Sequence, residues 1–318
     1  MSEDLRKSVH FHETDPGREW VKDPGVAIEA ESPDEGPHMV TPNVIQTADG
    51  RFRMYFTSLR YGTHAFVDST ASILSAISDD GLKWEREPGV RLAPFSPEGT
   101  LRVLCPDVIP LVEGGYRMYL EASVTPDEPC WIVSAVSSDG LSFEPEPGVR
   151  YGDGQGKYGS PRCVFTDDKA ARYRLYFHSH PLPVEPGSKR FIASAVSDDG
   201  LRFTRERGVR IAQDNEFESG TVYAPEVVRL GGGSYRMYYA AWTLDPTNGR
   251  ILSAHSSDGL AWTKDEGPCI DIGGKYDKIK ASEPCVISLP DGRSRLYYEA
   301  SDEHGQWRIL SATSLAVS

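Results

Sequence analysis

Ile73 to Leu92 reads ILSAISDDGLKWEREPGVRL, and the chain repeats it three more times. The copies are IVSAVSSDGLSFEPEPGVRY (Ile132 to Tyr151), IASAVSDDGLRFTRERGVRI (Ile192 to Ile211) and ILSAHSSDGLAWTKDEGPCI (Ile251 to Ile270). A fifth, shortened copy, ILSATS, spans Ile309 to Ser314. Asp80, Asp139, Asp199 and Asp258 mark the same point of each full copy, at steps of 59, 60 and 59 residues. So regular a period is the mark of a repeat architecture. Within one copy, residues alternate between two faces with no 3.6-residue period, which predicts a strand. Asp-Gly supplies the positive φ of a tight turn, and an aromatic residue follows (Trp84, Phe143, Phe203 or Trp262). Each copy is therefore strand, turn, strand.

Two further strands precede each hairpin. They read VTPNVIQ (Val40 to Gln46) and RFRMYFTS before the first, LCPDVIPL and YRMYLEAS before the second, and GSPRCVF and YRLYFHS before the third. YAPEVVRL and YRMYYAA precede the fourth, and SEPCVISL and SRLYYEAS the shortened fifth. Four-stranded antiparallel units at this spacing predict propeller blades. The fifth unit stops short of its last strand, while EWVKDPGVAI (Glu19 to Ile28) resembles KWEREPGVRL. The expectation is an all-β, five-bladed β-propeller over residues 1–318, a single domain whose N-terminal strand 19–28 completes the last blade and leaves no free sheet edge.

The 318 residues carry 34 lysines and arginines against 47 aspartates and glutamates, a net charge of −13. With no basic cluster to offset it, neither nucleic acid nor an anionic membrane is an expected partner. No apolar run reaches the length of a membrane helix. The start, MSEDLRKSVHFHETD, lacks the apolar core of a signal peptide. Five cysteines without CxxC spacing then fit free thiols and a cytoplasmic setting.

In a propeller the first strand of each blade lines the axis. Alternation predicts that the residues flanking the repeated proline share an inward face. These pairs are Thr41/Asn43, Cys105/Asp107, Ser160/Arg162, Ala224/Glu226 and Glu283/Cys285. Asp107, Glu226 and Glu283 would then supply carboxyls to one axial pocket, with Arg162 lowering the pKa of its partner. The same residues would equally serve as an ion-pair ring that closes the axis. Loops before the first strands bring His38, Arg102, Lys157, Tyr158, Tyr223 and Lys280 to the same mouth. Glu121 and Glu299 share the second-strand position of His178 and would stand behind the channel. His178 and His180 share a strand face, but no carboxylate or cysteine motif accompanies them in sequence, so no metal and no cofactor is expected. Cys285, with no base beside it, reads as a buried thiol.

Five blades, the S-x-D-G-L-x-W/F hairpin and the Pro-Asp-Val and Pro-Glu-Val strands resemble the five-bladed glycoside hydrolases. Those include the arabinanases and xylosidases of family 43 and the invertases and levanases of family 32. Cys-Pro-Asp107-Val is similar to the Ala-Pro-Asp-Val strand of family 43. Ala-Pro-Glu226-Val and Ser-Glu283-Pro-Cys both resemble the strand that supplies the proton donor, and EGPHMV (Glu35 to Val40) resembles a Glu-Gly-Pro-His segment of some family 43 enzymes. The first blade carries Thr41 and Asn43 where the family has an aspartate, and the third carries Arg162. The resemblance implies a glycosidase acting on a sugar or oligosaccharide by carboxylate acid–base catalysis. The catalytic candidates are Asp107, Glu226 and Glu283, and the substrate-binding candidates are His38, Asn43, Arg162, Tyr158, Tyr223 and Arg102. Two other readings stay open: a propeller enzyme turned to lyase, cyclase or isomerase chemistry, and a non-catalytic carbohydrate-binding propeller.

Overall fold

A computed structural model describes residues 9–32, 35–62, 65–125, 129–182 and 189–315, so the extremes of the expected domain lie outside the described residues. The described chain is built mainly from antiparallel strand pairs, with two single turns of 3-10 helix at Lys169–Ala171 and Glu216–Glu218. The strands fall into successive antiparallel groups. The first joins His38–Gln46, Phe52–Gly62, Ala65–Ser78 and Glu85–Arg86. The second joins Arg102–Pro110, Tyr116–Ser123, Trp131–Ser137 and Glu144–Pro145. Gly156–Phe165, Tyr173–Pro181, Phe191–Ser197 and Thr204–Arg205 form the third. Thr221–Leu230, Tyr235–Leu244, Thr247–Ser256 and Thr263–Lys264 form the fourth. In the fifth, Lys280–Ser288, Ser294–Ser301 and Trp307–Ser314 are followed by Trp20–Lys22, which pairs antiparallel with residues 312–314. The first strands touch one another in a closed cycle, the fifth returning to the first.

The repeated motif makes the same contacts each time. Asp80 Oδ1 accepts from the amides of Leu82 (2.8 Å) and Lys83 (2.9 Å), and Ser78 Oγ accepts from Gly81. Asp139, Asp199 and Asp258 cap their turns in the same way. A tyrosine on the second strand of a neighbouring group donates to the turn's glycine carbonyl. Tyr55 reaches Gly140 (2.9 Å), Tyr119 reaches Gly200 (2.8 Å), Tyr176 reaches Gly259 (2.9 Å) and Tyr297 reaches Gly81 (2.8 Å). Gly81 has φ 71°, and a Cβ there would lie 2.7 Å from the Tyr297 hydroxyl, so both conformation and contact require glycine. In the fourth group Tyr238 donates to Gly17 instead. The N-terminal Asp-Pro-Gly thus takes the turn's place.

A second contact also recurs. An arginine of the second strand and a serine of the third meet the carboxylate that directly follows the fourth. Arg53 and Ser75 meet on Glu87, Arg117 and Ser134 on Glu146, Arg174 and Ser194 on Glu206, and Arg236 and Ser253 on Asp265. In the fifth group Ser311 donates to Asp23 at 2.7 Å and Arg295 lies 3.4 Å away. Asp23 comes from the N-terminal strand, so DPGVAI stands where the other groups have EPGVRL or its equivalent.

The tyrosine latches tie one group to the next, and their loss should be felt by the whole molecule. Tyr119→Phe leaves the buried Gly200 carbonyl without its donor, which costs about 1–3 kcal/mol. A urea unfolding curve measures this, and an unchanged midpoint would count against the latch.

Candidate functional site

Each first strand carries an irregularity at the residue before its proline. Thr41, Cys105, Ser160, Ala224 and Glu283 have φ of 53°, 54°, 44°, 49° and 49°, and the pairing register shifts at each. Left-handed backbone is uncommon for residues with a Cβ, and more so for β-branched Thr41. Five such bulges, one per group, break the two-residue alternation. The residues before and after the proline therefore serve two separate levels, where alternation alone would place them on one.

The lower level is sealed. Asn43, Asp107, Arg162 and Glu226 are fully buried, and Cys285 nearly so. Most of these side chains accept a hydrogen bond from the neighbouring first strand. Asn43 accepts from the amide of Val108 (3.0 Å), Asp107 from Cys163 (2.7 Å), Glu226 from Val286 (3.0 Å) and Cys285 from Val44 (3.2 Å). Arg162 instead donates to Glu226 at 2.6 Å. From below, the Phe11–His12 strand runs parallel to residues 229–230 and brings His10 onto the ring. His10 Nε2 lies 2.8 Å from Asp107 Oδ1, and Nδ1 lies 3.7 Å from Glu226 Oε1. Burial opposes its charge, but Asp107 and Glu226 outweigh that and raise it to about 10. Two carboxylates and two cations balance here, away from solvent.

The upper level opens into a cavity of about 490 Å³. Thr41, Cys105, Ser160 and Glu283, four of the five residues before the prolines, line it with side chains of the second strands and the mouth. Glu283 Oε1 accepts from Ser160 Oγ at 3.0 Å, and Oε2 is buried with no hydrogen-bond partner. Burial, then the charge of Glu299, raises the Glu283 pKa to about 8. Glu299 is fixed by Ser282 Oγ (2.6 Å), Lys280 Nζ (3.0 Å) and the Thr41 amide (3.2 Å). Lys280 Nζ sits 4.2 Å from the Trp307 ring centre, 4.5 Å from that of Trp242 and 5.5 Å from that of Tyr223.

Glu121 also lines the cavity, packed on Gly159, where a Cβ would lie 1.7 Å from its carboxylate oxygen. Burial holds its pKa above the ordinary carboxylate value, against Arg102, the Cys130 thiol, Lys157 and the Ser160 amide, which favour its charged form. Ser160 thus acts on two carboxyls, on Glu283 through its hydroxyl and on Glu121 through its backbone. His178 and His180 stack at 4.5 Å beside Glu121; burial and then Arg190 lower the pKa of His178, and burial, His178 and then Arg190 lower that of His180, so both stay neutral. Among the described residues no three His, Cys, Asp or Glu side chains gather as a metal-ion site.

Of the catalytic and substrate-binding candidates named in sequence, Glu283, Arg102 and Tyr223 line this cavity, as do Lys157, Lys280, His178 and His180 of the mouth and second strands. Asp107, Glu226, Arg162 and Asn43 lie beneath it. His38 backs it, 4.3 Å from the ring of Tyr61, which does line the wall. Tyr158 faces a separate surface hollow and donates to Asp153 at 2.6 Å. Glu121 and Glu299 stand in the cavity wall itself. The shared second-strand position marked these two in sequence. His10 was missed, although the alternation of His10, Phe11 and His12 is a strand signal.

No family model matches the chain, and no curated protein matches it. Solved structures do. One described as a glycoside hydrolase superposes with a TM-score of 0.78 at 19% identity, covering 94% of this chain and 93% of its own. The chain has the fold of propeller glycoside hydrolases. A thermostable family-43 glycoside hydrolase gives a TM-score of 0.71 at 18% identity over 94% and 93% of the two chains. An endo-arabinase from Bacteroides thetaiotaomicron gives 0.67 at 16% identity over 92% and 98%. At such identities the likeness is one of fold.

Proposed function

We propose that this chain is a five-bladed propeller glycosidase in which Glu283 is the general acid and Glu121 the ionised carboxylate facing it. The five strand groups, the closed cycle of their first strands and the N-terminal strand on the last group support the blade count. The observation that carries the chemistry is the pair of carboxyls bracketing Ser160 in one cavity, Glu283 with a pKa raised to about 8 and an unpartnered Oε2, and Glu121 beside the cations Arg102 and Lys157. Glycoside hydrolysis needs one protonated and one ionised carboxyl about 5–9.5 Å apart, according to its stereochemistry. Fixed by Lys280, Ser282 and Thr41, Glu299 presents a negative charge to Glu283 and so keeps the proton there. Glu283 Oε2, without a partner of its own, is free to give that proton to a glycosidic oxygen. Glu121 meets the positive charge that develops at the anomeric carbon as the leaving group departs, water bonds to that carbon, and the water's proton passes to one of the two carboxylates. Trp242 and Trp307 offer faces on which a sugar ring stacks.

A panel of aryl glycosides tests this reading. Hydrolysis by the wild type should fall about 10²–10⁴-fold in Glu121→Ala. Azide, small enough to enter the space left by the carboxylate, should restore release of the aryl group. Undiminished hydrolysis by Glu121→Ala would remove Glu121 from the mechanism.

A further inference from the structure

The residues at the bulge before each proline, one per strand group, share one conformation. Thr41, Cys105, Ser160, Ala224 and Glu283 have φ between 44° and 54°. The backbone there asks only for tolerance of the left-handed region, and alanine meets that demand in the fourth group. A serine in the third group answers to something else. Ser160 is 1% exposed, and its hydroxyl meets the bulge residues of two other groups. Oγ lies 3.0 Å from Glu283 Oε1 and 3.5 Å from Cys105 Sγ. Residues of the second, third and fifth groups thus touch across the axis.

The hydroxyl has one proton to donate, and its two acceptors are unequal. A carboxyl oxygen accepts strongly and a thiol sulfur weakly, so the proton goes to Oε1. That decides the other half of the carboxyl. When Glu283 is protonated, the oxygen that accepts from Ser160 is the carbonyl oxygen, and the acid proton lies on Oε2. Among the described residues Oε2 has no hydrogen-bond partner, although it is buried. A buried polar atom left without a partner is uncommon and calls for one. The bond to Oε1 also favours the ionised form, so Ser160 holds the Glu283 pKa below where burial and Glu299 alone would put it. Ser160 both places the proton and eases its departure.

We propose that Ser160 is the positioning residue of the site, holding Glu283 Oε1 so that the transferable proton sits on Oε2, the oxygen left for the substrate's leaving group. The leaving group rests on the glycosidase reading, but the placement of the proton involves protein groups alone and is read without substrate. Ser160→Ala isolates the hydroxyl. It keeps the amide that favours the charged form of Glu121, and Ala224 already holds alanine at the same conformation. Ser160→Thr keeps a hydroxyl at a conformation that Thr41 adopts, with φ 53°.

Infrared difference spectra of the full chain decide it. Subtracting Glu283→Gln from the wild type at pH 6 isolates the C=O stretch of protonated Glu283, and the same subtraction is made in the Ser160→Ala background. There the band should move to higher wavenumber, because the carbonyl oxygen has lost its donor, and it should persist to higher pH than in the wild type. Ser160→Thr should bring both back toward the wild type. With aryl glycosides, Ser160→Ala should lower kcat by up to about 10²-fold, the cost of a catalytic group misplaced by about 1 Å, while KM stays near that of the wild type. The basic limb of its pH profile should shift upward, which a loss of packing alone would not produce. A band that stays in place, or that titrates at the wild-type pH in Ser160→Ala, overturns the proposal. If the wild type turns over no aryl glycoside, the glycosidase reading falls and the band still decides where the proton sits. A moved band with kcat unchanged upholds the placement and removes Glu283 as the acid.

Discussion

Glu283→Gln should lower the turnover of a glycoside substrate by about 10²–10⁴-fold, the effect of removing a positioned general acid. The amide keeps the shape of the side chain and can still meet Ser160, but it has no proton to give. The pH profile carries a second signature. The wild-type carboxyl is raised to about 8, by burial first and by the neighbouring charge of Glu299 second, so its acid form is populated below that pH. Activity should hold through neutrality and fall as pH rises through about 8, and that basic limb should disappear from the residual activity of Glu283→Gln. Stability should fall in a lower pH window than activity does. A carboxyl whose folded pKa lies above its unfolded value binds more protons in the folded state, so the wild type loses stability as pH climbs from the ordinary carboxylate range toward 8. Glu283→Gln has no such loss and should be at least as stable as the wild type at pH 8. Full activity in the variant, or a rate unchanged across pH 8, would sink the assignment.

His10→Gln should destabilise the whole molecule by about 3–5 kcal/mol, because it leaves buried carboxylates short of a counter-charge. His10 touches Asp107 at 2.8 Å, lies 3.7 Å from Glu226 and is itself buried. Arg162 alone then faces both carboxylates. The histidine's pKa is raised from 6.5 to about 10 against the effect of burial, so the proton is held by the fold. Its contribution is fully present below pH 6.5 and is lost as pH rises through about 10. In that window the folded state holds a proton that the unfolded chain has released. This term lowers wild-type stability by up to about 1.4 kcal/mol per pH unit. Urea midpoints measured from pH 6 to pH 10 for wild type and variant isolate the term as a narrowing difference between them. A variant equal to the wild type across the range would show that the N-terminal segment merely rests on the ring.

The repeat itself was legible in the sequence because its determinants are local. Asp-Gly sets its turn with groups two or three residues apart, and the carboxylate of EPGVRL meets a serine of the same hairpin. Local chemistry repeated at a fixed period needs no tertiary information. The likeness of Glu19 to Ile28 to that segment was legible for the same reason, and Asp23 makes the contact that Glu87 makes elsewhere.

The site was decided by tertiary structure. The alternation that placed Asp107, Glu226 and Glu283 on one face assumes extended backbone through the proline. At that point the chain turns to a φ near 50°, and Glu283 enters the cavity while Asp107 and Glu226 turn to the strand beside them. Glu121 and Glu299 carried a positional signal, but their roles depend on Ser160, Lys280 and Arg102, which come from other strands or other groups. His10 meets Asp107 across 97 residues. Which charges share a buried space follows from how the strand groups close on one another, and no short stretch of sequence contains that.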